Sequence, residues 1–520
     1  MPVLRRFSTI LKRKPTEYIS SIFSSHKVVF KGKEEITYKG GNQSSFLLNK
    51  VFKNIDSIGV IGWGPQARAQ ACNLQDTFKF HDIKTKITVG LRENSTSTLK
   101  ATKAGFKVKS IEETTKESDL LLFLVSDSAQ ASLYKNILSN MKDGATLGLS
   151  HGFLLGHMKN NNEEFPENIN VIGMCPKGMG DSVRDLYLSN CGLSINSSVC
   201  VEKITEGYAD KFFQELADYP SITRPIDLAL GWAIGVGSPF IFTTSLQDEW
   251  VSDLVGERGI LLGGLFGIMQ SMELLALKYN QPMDKAYNET AKMITGPISR
   301  QISKNGLTSV YTDMIKKCDT NFKDTFRMGY CLSYKVAKPL INEIYEEVVS
   351  GNEIRSVISA EKNREMLCQS LSGNSKYWNV GKNDEHSENT ENSLEEVYIN
   401  SPTSAMCAGT YIGAMMAQID VLIENGHNYS EIVNESIIEA VDSLNPYMYR
   451  KGIDWMVDNC SITARIGTRK WGPRFHTLYS NNVINNKMHT VPHEEHILFK
   501  DYLNHPIHII HEYIRNMNKN

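Results

Sequence analysis

A strand, a glycine-rich turn and a helix follow one another in the segment that begins at Ile58, which reads IGVIGWGPQARAQACNL. Gly62 permits the tight turn, Gly64 lets the backbone approach a pyrophosphate, and Ala67 stands where such fingerprints accept a small residue for close packing. Further apolar runs alternate with helical patterns along the chain, at 86–92, 119–127, 145–151 and 169–175. This alternation predicts an α/β Rossmann-like N-terminal domain, with a parallel sheet and helical crossovers.

The end of the second predicted strand indicates which dinucleotide this domain binds. An NAD site usually has an acid there for the ribose hydroxyls, whereas Arg92, Ser95 and Ser97 offer a cation and hydroxyl donors to a 2′-phosphate. NADPH is therefore the predicted cofactor. Glu93 would repel that phosphate if it pointed inward, and a surface arginine without a ligand is the alternative interpretation of Arg92.

After about Arg224 helical periodicity replaces the alternation, and this helical half is duplicated. A shift of 146 residues aligns the segment that begins at Asp284 with the one that begins at Ser430. The glycines superposed by the same shift are Gly263 on Gly409, Gly267 on Gly413, and Gly306 on Gly452. Each copy thus carries a G-x-x-x-G helix, a second helix and a glycine stop. The sequence predicts an all-α, internally duplicated C-terminal domain.

These patterns set the predicted domain boundaries. The Rossmann domain that binds NADP covers residues 26–230, and the first helical repeat covers residues 231–395. The first repeat ends in a polar connecting loop from about 371 to 396, and the second repeat covers residues 396–520.

Two pairs of carboxylates lie in apolar helical stretches, each with its members four residues apart. Asp253 and Glu257 belong to the first repeat, and Glu435 and Glu439 to the second. Because residues i and i+4 share a helix face, each pair can direct two oxygen ligands at one point. Mg²⁺ prefers oxygen ligands, so a few carboxylates plus substrate oxygens suit it. The alternative is solvated charge on two helix faces, but the divergence of the repeats at these positions favours one composite metal site.

The composition argues against several classes of protein. Lys plus Arg total 56 against 58 Asp plus Glu, so the global charge suggests neither nucleic acid nor an anionic membrane surface as a partner. The nine cysteines include no CxxC spacing, which is typical of reduced thiols and not of a disulfide framework or a zinc site. The most apolar stretches are broken by Gly, Pro and polar residues, so we expect a soluble protein without a membrane span.

Residues 1–25 are predicted to lie outside the fold. The segment is rich in arginine and serine and contains a single acid, Glu17. This composition is typical of an organellar transit peptide and lacks the apolar core of a secretory signal. A short, arginine-led segment favours the mitochondrion over the plastid, and a disordered basic tail is the alternative.

Several motifs together resemble those of ketol-acid reductoisomerase, and most closely its long, plant-like class II form with a duplicated helical domain. They are IGVIGWGPQARAQ, SDSAQ, LSHGFLLGH, CPKGMG, SDLVGERGILLG, SEIVNESIIEAVDSLNP and MVDNCSITARIGTRKWGPRF. The similarity runs from about His26 to His476. It implies a deep knot in the helical domain and a homodimer or larger homo-oligomer.

The reaction that the resemblance implies has two stages. An alkyl group of 2-acetolactate or 2-aceto-2-hydroxybutyrate migrates, and NADPH then reduces the product to a 2,3-dihydroxy acid in valine and isoleucine biosynthesis. Two Mg²⁺ ions deprotonate the hydroxyl and polarise the accepting carbonyl while they hold the substrate oxygens.

The resemblance also implies how the metal ligands are divided. Asp253 bridges the two ions, and Glu257 completes one side. Glu435 and Glu439 line the other side, where Glu439 also assists proton transfer.

Further side chains acquire roles from the same resemblance. His151 is the catalytic histidine, Lys177 offers a cation to the substrate, and Ser461 hydrogen-bonds the substrate. Gln66 and the segment from Asp127 to Gln130 line the cofactor. Taken singly, His151 could be a strand-end residue, Lys177 a solvated lysine, and Ser461 a helix cap.

The chain departs from the family pattern in its fingerprint. Pro65 and Ala67 stand where Ser and Gly are common, and because proline has no backbone N–H we expect weaker binding of the phosphates. Glu93 stands where a basic residue is usual, which weakens the NADPH prediction.

Two features are expected to lie outside the site. Glu431, one turn before Glu435, could also face the site, but exposure to solvent is expected. Six histidines fall between Met488 and Tyr513, including His489, His493 and His496, and a polar tail is expected there instead of a zinc site.

Two other functions compete with the one implied. A metal-independent hydroxyacid dehydrogenase of Rossmann-plus-helical type would reduce a carbonyl without migration. An inactive homologue kept as a binding or scaffold protein would lack metal ligands, and none is missing here.

Overall fold

The computed structural model describes residues 19–205, 224–315, 320–361, 375–382, 399, 401–485 and 493–519. Ten strands within these residues form one sheet. In chain order they are β1 Ser25–Phe30, β2 Lys33–Lys39, β3 Ser57–Ile61, β4 Lys86–Leu91, β5 Lys107–Ser110, β6 Leu120–Phe123, β7 Thr146–Leu149, β8 Asn170–Pro176, β9 Ser197–Lys203 and β10 Phe240–Thr243. Strands β6, β7 and β8 are buried along their whole length, as apolar strands covered on both faces must be.

The six strands β3 to β8 form the predicted parallel sheet, in the order β5-β4-β3-β6-β7-β8. This is the doubly wound order that binds dinucleotides where the strand order reverses, here between β3 and β6. The sheet continues beyond β8 through β9, β10, β2 and β1, and the β8–β9, β10–β2 and β1–β2 pairs are antiparallel. The Rossmann-like fold is confirmed, with a mixed sheet in place of a purely parallel one.

Helices cover the sheet and connect its strands. They are α1 Asn42–Ser45, α2 Leu48–Val51, α3 Pro65–Phe80, α4 Thr98–Lys103, α5 Ile111–Glu117, α6 Asp127–Asn140, α7 Phe153–Asn160, α8 Gly180–Ser189 and α9 Pro225–Val236. Helix α9 is buried throughout and packs against β8, β9 and α3.

The rest of the described chain is helical. Its α-helices are α10 Leu246–Arg258, α11 Gly263–Lys278, α12 Met283–Tyr287, α13 Ser299–Asn305, α14 Thr320–Val349, α15 Asn352–Glu361, α16 Lys376–Lys382, α17 Pro402–Glu424, α18 Tyr429–Val433, α19 Asn445–Lys451, α20 Ile453–Asn459, α21 Ile462–Tyr479, α22 His493–Leu503 and α23 Ile507–Lys519. π-Helical segments occur at Asn288–Lys292, Ile294–Ile298, Val310–Ile315, Asn434–Leu444 and Ser480–Ile484.

The duplication appears as two matching helical units. In each copy the helix after the G-x-x-x-G helix passes through π-helical turns and ends at a glycine with positive φ, 92° at Gly306 and 99° at Gly452. Helix α11 packs along α21, and α17 packs along α14, so the G-x-x-x-G helix of each copy lies against a long helix of the other. This interlocked pairing suits the implied knot, which stays a prediction.

Close approach between the paired helices explains their glycines. A Cβ at Gly267 would lie 2.6 Å from the carbonyl oxygen of Gly472, and one at Gly409 would lie 2.1 Å from that of Phe326. A larger side chain at either position would force the helices apart, because protein interiors have no spare volume to absorb it.

The sheet runs past one predicted domain boundary, and a helix lies within the predicted connecting loop. Strand β10 pairs with β2 and β9, so the sheet extends to Thr243 and does not end at 230. The run FIFT was missed because so short a run, three apolar residues and a threonine, cannot be told from a buried helix by periodicity. The predicted connecting loop at 371–396 contains α16, with Tyr377 and Trp378 buried, and the rest of that loop lies outside the described residues.

The predicted N-terminal segment, residues 1–25, ends too late. The backbone N–H and the hydroxyl of Ser21 donate to Asp227 at 3.1 and 2.6 Å, and the ring of Phe23 is buried. Residues 19–25 therefore belong to the fold. Residues 1–18 lie outside the described residues, and the targeting prediction is retained for them.

Two stretches, Leu246–Lys278 and Pro402–Glu424, are long and apolar enough to cross a membrane by composition alone. Their most apolar windows are 78% and 83% buried inside the protein, which is the behaviour of core helices.

The histidine-rich C-terminus does not form the polar tail that the sequence predicts. Helices α22 and α23 pack on the helical domain and bury Ile507, Ile510 and Ile514. His505 lies 3.1 Å from a carboxylate oxygen of Asp420. His489 lies outside the described residues, and so does the side chain of His493.

Two histidines in α23, the buried His511 and the half-buried His508, predict acid sensitivity. Burial lowers the pKa of His508 to about 4 and that of His511 to about 3, and Arg515 also lowers the latter. The unfolded chain therefore takes up protons first, so stability is full above the unfolded pKa, roughly 6.5, and is lost as the pH falls toward the folded values.

Below that pH, we expect the free energy of unfolding of His511→Leu, relative to that of the wild type, to rise by about 1.4 kcal/mol for each pH unit of further acidification. The check is the free energy of unfolding of both proteins between pH 7.5 and 4.5, where shared carboxylate titrations cancel in the difference. Parallel curves would show that His511 is not neutral in the folded state.

Candidate active site

The turn after β3 lies at the carboxyl ends of the parallel strands. Gly62 has a φ of 105°, and a Cβ there would lie 2.9 Å from the carbonyl oxygen of Leu124. Gly64 precedes α3, and the space that its side chain would occupy is open. The predicted glycine roles, a tight turn and room for a phosphate, both match this geometry.

The missing backbone N–H of Pro65 matters less for phosphate binding at this turn than the sequence predicts. It occupies the first position of α3, whose N–H would have no partner within the helix, and proline is favoured there. The N–H groups of Gln66 and Ala67 remain at the helix N-terminus. Ala67 is fully buried, in agreement with its predicted packing role.

The loop after β4 places Arg92, Ser95 and Ser97 next to the glycine turn, because β4 pairs with β3. The backbone N–H of Ser95 donates to the carbonyl of Arg92 at 3.2 Å, and its hydroxyl accepts from the N–H of Ser97 at 3.3 Å. Arg92 and Glu93 are exposed, so each side chain is free to turn toward or away from a bound nucleotide.

Two glutamines hold loops at this end of the sheet. Gln66 donates to the carbonyl of Gly178 at 2.8 Å, which ties α3 to the CPKGMG loop. Gln130 is buried and donates to the carbonyls of Phe123 and Val125, both at 3.2 Å. Gln130 therefore braces the turn before α6 from inside.

His151, just after β7, lies between two carboxylates. Its Nδ1 donates to Asp127 at 3.3 Å, and its Nε2 is 3.1 Å from Oδ2 of Asp253. The other oxygen of Asp127 accepts a hydrogen bond from Thr463 of the helical domain. Burial lowers the pKa of His151, but Asp253 and Asp127 outweigh it and raise that pKa well above its usual value. Asp127, predicted to line the cofactor, thus orients the candidate catalytic histidine.

Lys177, just after β8, is buried, with its side chain 1% exposed. Its ammonium lies 3.1 Å from Oε1 of Glu249 and also pairs with Oε1 of Glu435. The second oxygen of Glu249 accepts the N–H of Gly152 at 2.8 Å. Burial lowers the pKa of Lys177, but the two carboxylates raise it well above its usual value, so the lysine is a fixed cation between the repeats.

Carboxylates from both repeats meet beside this lysine. Glu249 and Asp253 lie on α10, whereas Glu435 lies on the continuous helix from Tyr429 to Lys451, here called the Glu435 helix. One oxygen from each of the three lies within 4.8 Å of the others. The structure thus brings together Asp253 and Glu435, as predicted from the sequence.

The other two predicted ligands border this cluster. Glu257 lies 2.9 Å from Arg258, and burial and then Asp253 raise its pKa to about 8. Burial, Glu435 and Asp253 raise the pKa of Glu439. Oxygen Oε2 of Glu439 and Oε2 of Glu435 are both buried without a hydrogen-bond partner. Carboxylates that repel one another in this way either take up protons or gain a cation.

Ser461 begins α21, and its hydroxyl accepts the N–H of Ala464 at 3.0 Å. Ser461 therefore fills the role of helix cap, which is the alternative given for it in the sequence analysis. Because the residue is exposed, its hydroxyl proton is also free for a ligand.

Glu431 does not face solvent, contrary to expectation. It is fully buried and accepts from Ser252 at 2.7 Å and Thr244 at 3.0 Å.

Sequence reasoning missed Glu249 and Thr463. Glu249 stands four residues before Asp253, so the spacing that singled out the pairs continues one step further along α10. Nothing local marks Thr463, because its partner Asp127 lies in the other domain.

Comparisons with known proteins agree with this architecture. Residues 53–218 match the family model for the acetohydroxy acid isomeroreductase NADPH-binding domain, and residues 246–386 and 404–497 match that for the ketol-acid reductoisomerase C-terminal domain. The chloroplastic ketol-acid reductoisomerase of Spinacia oleracea is 42% identical over 482 residues, covering 90% of this chain and 76% of the relative. That of Pisum sativum is 42% identical over 473 residues, covering 88% and 77%.

A solved structure shares the fold. An NADH-preferring ketol-acid reductoisomerase from an uncultured archean superposes with a TM-score of 0.50 at 22% sequence identity, covering 62% of this chain and 90% of that one.

Proposed function

This chain belongs to the ketol-acid reductoisomerase family of oxidoreductases with isomerase activity, and from that premise we propose that it uses NADPH and two Mg²⁺ ions to convert 2-acetolactate or 2-aceto-2-hydroxybutyrate to 2,3-dihydroxy acids. The observation that carries the proposal is the meeting of Glu249 and Asp253 with Glu435, from opposite repeats, at one buried point beside the dinucleotide end of the sheet.

The residues present fit a divalent cation. The candidate ligands Asp253, Glu257, Glu435 and Glu439 are all oxygen donors, and Glu435 and Glu439 each keep a buried oxygen without a partner. With Glu249 they make five carboxyls close together, while Lys177 and His151 supply positive charge beside them and Arg258 is shared with Glu353. Excess buried negative charge of this kind favours Mg²⁺, which when bound polarises substrate oxygens.

The protein's own groups orient the substrate and move protons. His151 is held by Asp127 with its Nε2 facing Asp253, where it can exchange a proton with a substrate hydroxyl. Glu439 has an unpartnered oxygen for a second proton, and Ser461 offers a hydroxyl to the substrate carboxylate. Lys177 pairs with Glu249 and Glu435 and holds both side chains in place.

NADPH would bind across the switch point between β3 and β6. Gly62 and Gly64 leave room for the pyrophosphate, and Arg92, Ser95 and Ser97 hold the 2′-phosphate. The link from Gln66 to Gly178 joins this end of the sheet to the loop of Lys177, so the nicotinamide would reach the carboxylates from the domain cleft.

Loss of the arginine is expected to weaken use of NADPH and leave use of NADH unchanged. We expect Arg92→Ala to lower kcat/KM for NADPH by about tenfold, the effect of losing a charge-assisted hydrogen bond. Steady-state kinetics with both nucleotides check this, with Lys100→Ala on α4 as the matched control. Equal losses with NADH would place Arg92 outside the 2′-phosphate site.

The reaction itself is tested by mixing the purified protein with 2-acetolactate, Mg²⁺ and NADPH and following the absorbance of the reduced nicotinamide. Oxidation that stops when EDTA is added supports the proposal. Oxidation that survives EDTA favours the metal-independent dehydrogenase, and no oxidation under any condition favours the inactive homologue.

We also expect a homo-oligomer in an organelle. The names of the two plant relatives contain the word chloroplastic, whereas the arginine-led N-terminus of this chain favours the mitochondrial matrix. N-terminal sequencing of protein from isolated organelles tests both the location and the cleavage.

A further inference from the structure

The two ends of the described chain, which lie outside the matched family models, converge on one helix. The models match residues 53–218, 246–386 and 404–497, so β1 and β2 precede them and α23 follows them. Both ends nevertheless pack against the start of the Glu435 helix.

The N-terminal end contacts this helix through Glu35 on β2, which is 3% exposed. Its two carboxylate oxygens accept the first N–H groups of the helix, from Tyr429 at 2.5 Å and Ser430 at 3.0 Å. A carboxylate at this position satisfies two free donors and interacts favourably with the helix dipole. Glu35 therefore fixes where the helix begins.

The C-terminal end packs along the same turn of the helix. Ile510 and Ile514 of α23 are buried in the same apolar cluster as Ile432 and Val433. The ring of Phe30 on β1 contacts both the Glu435 helix and α23. Its centre lies 6.4 Å from that of the Tyr429 ring and 5.7 Å from that of the Tyr513 ring.

A charged group extends this contact past the candidate ligands. Asp442 lies three residues after Glu439 on the Glu435 helix. Burial raises its pKa to about 6, while a hydrogen bond from Ser303 and the nearby guanidinium of Arg515 on α23 act in the opposite direction. Helix α23 thus acts on the Glu435 helix on both sides of Glu435 and Glu439.

We propose that Glu35, Phe30 and α23 form a clasp that positions Glu435 and Glu439 for metal binding. The inference rests on the proposed function, in which those two residues are ligands. Mg²⁺ demands near-ideal octahedral geometry, so a helix that shifts along its axis loses affinity even when every ligand is present. Groups that orient ligands in this way are expected to change metal affinity by roughly 10- to 100-fold.

The test compares two clasp variants with neighbouring controls in the full-length protein. Glu35→Gln keeps the shape of the side chain but offers one acceptor oxygen in place of two, and its control is Glu34→Gln, whose side chain is 45% exposed. Ile510→Asp places a charge in the buried face of α23, and its control is Ile509→Asp, where the wild-type isoleucine is 71% exposed. Affinities for Mg²⁺ and for NADPH are measured separately by calorimetry.

We expect both clasp variants to bind Mg²⁺ about tenfold more weakly than the wild type while NADPH affinity is unchanged, and both controls to match the wild type. Unchanged NADPH affinity shows that a variant is folded. If Ile510→Asp does not fold, Glu35→Gln alone provides the test. Wild-type Mg²⁺ affinity in both clasp variants overturns the clasp. Failure of the wild type itself to bind Mg²⁺ overturns the proposed metal site instead.

Discussion

Replacing Asp253 by Asn is expected to abolish metal-dependent turnover of 2-acetolactate. The substitution keeps the shape of the side chain but removes a negative oxygen that faces both His151 and the Glu249–Glu435 cluster. Loss of a group that stabilises developing charge in the reaction lowers kcat by about a thousandfold. The measurement is the rate of NADPH oxidation at saturating Mg²⁺, together with the Mg²⁺ affinity of the variant.

The matched control for this change is Glu343→Gln. Glu343 is an exposed carboxylate that pairs with Arg474 at 2.6 Å on the surface of the helical domain, so its loss leaves the rate unchanged. A rate near that of the wild type in Asp253→Asn would remove this residue from the proposed metal site.

Replacing Lys177 by Met is expected to destabilise the folded protein strongly. It leaves Glu249 and Glu435 buried without their common partner, and breaking a buried ion pair in this way costs about 3–5 kcal/mol. Burial raises the pKa of Glu435 to about 8, so the loss should be larger at pH 9, where this carboxyl is charged, than at pH 6, where it has taken up a proton.

The check is urea unfolding of Lys177→Met without Mg²⁺ at pH 9 and pH 6, with Lys142→Met as the control. Lys142 pairs with Asp119 at 2.8 Å at the surface, and its loss costs less than about 1 kcal/mol. Equal effects of the two substitutions at pH 9 would show that the cluster does not need the lysine charge.

The parallel core of the sheet could be predicted from the sequence because its strands are buried on both faces and alternate with amphipathic helices. Strands β1, β2, β9 and β10 escaped prediction for a physical reason. They extend the sheet through pairings between distant parts of the chain, such as β2 with β10, and such long-range pairing leaves no local period.

The site was predictable where the helix period is regular and less so where it changes. On α10 the spacing of four residues correctly put Asp253 at the cluster and would also have found Glu249. The Glu435 helix contains π-helical turns, which are wider than α-helical ones, so equal spacing no longer predicts a common face. Glu431 accordingly bonds Ser252 and not the cluster.

Contacts between domains were beyond sequence reasoning. The pair of Lys177 with Glu435 and the link from Thr463 to Asp127 join residues that are hundreds of positions apart. Only the folded arrangement of the two repeats against the sheet brings them together.

The most direct test of the account is the position of bound metal in crystals grown with Mn²⁺ and NADPH, located by anomalous scattering. We expect two peaks at the oxygens of Asp253, Glu257, Glu435 and Glu439, in the cleft that the nicotinamide enters. Peaks at other residues, or a metal bound by one repeat alone, would contradict a composite site built from both halves of the duplicated domain.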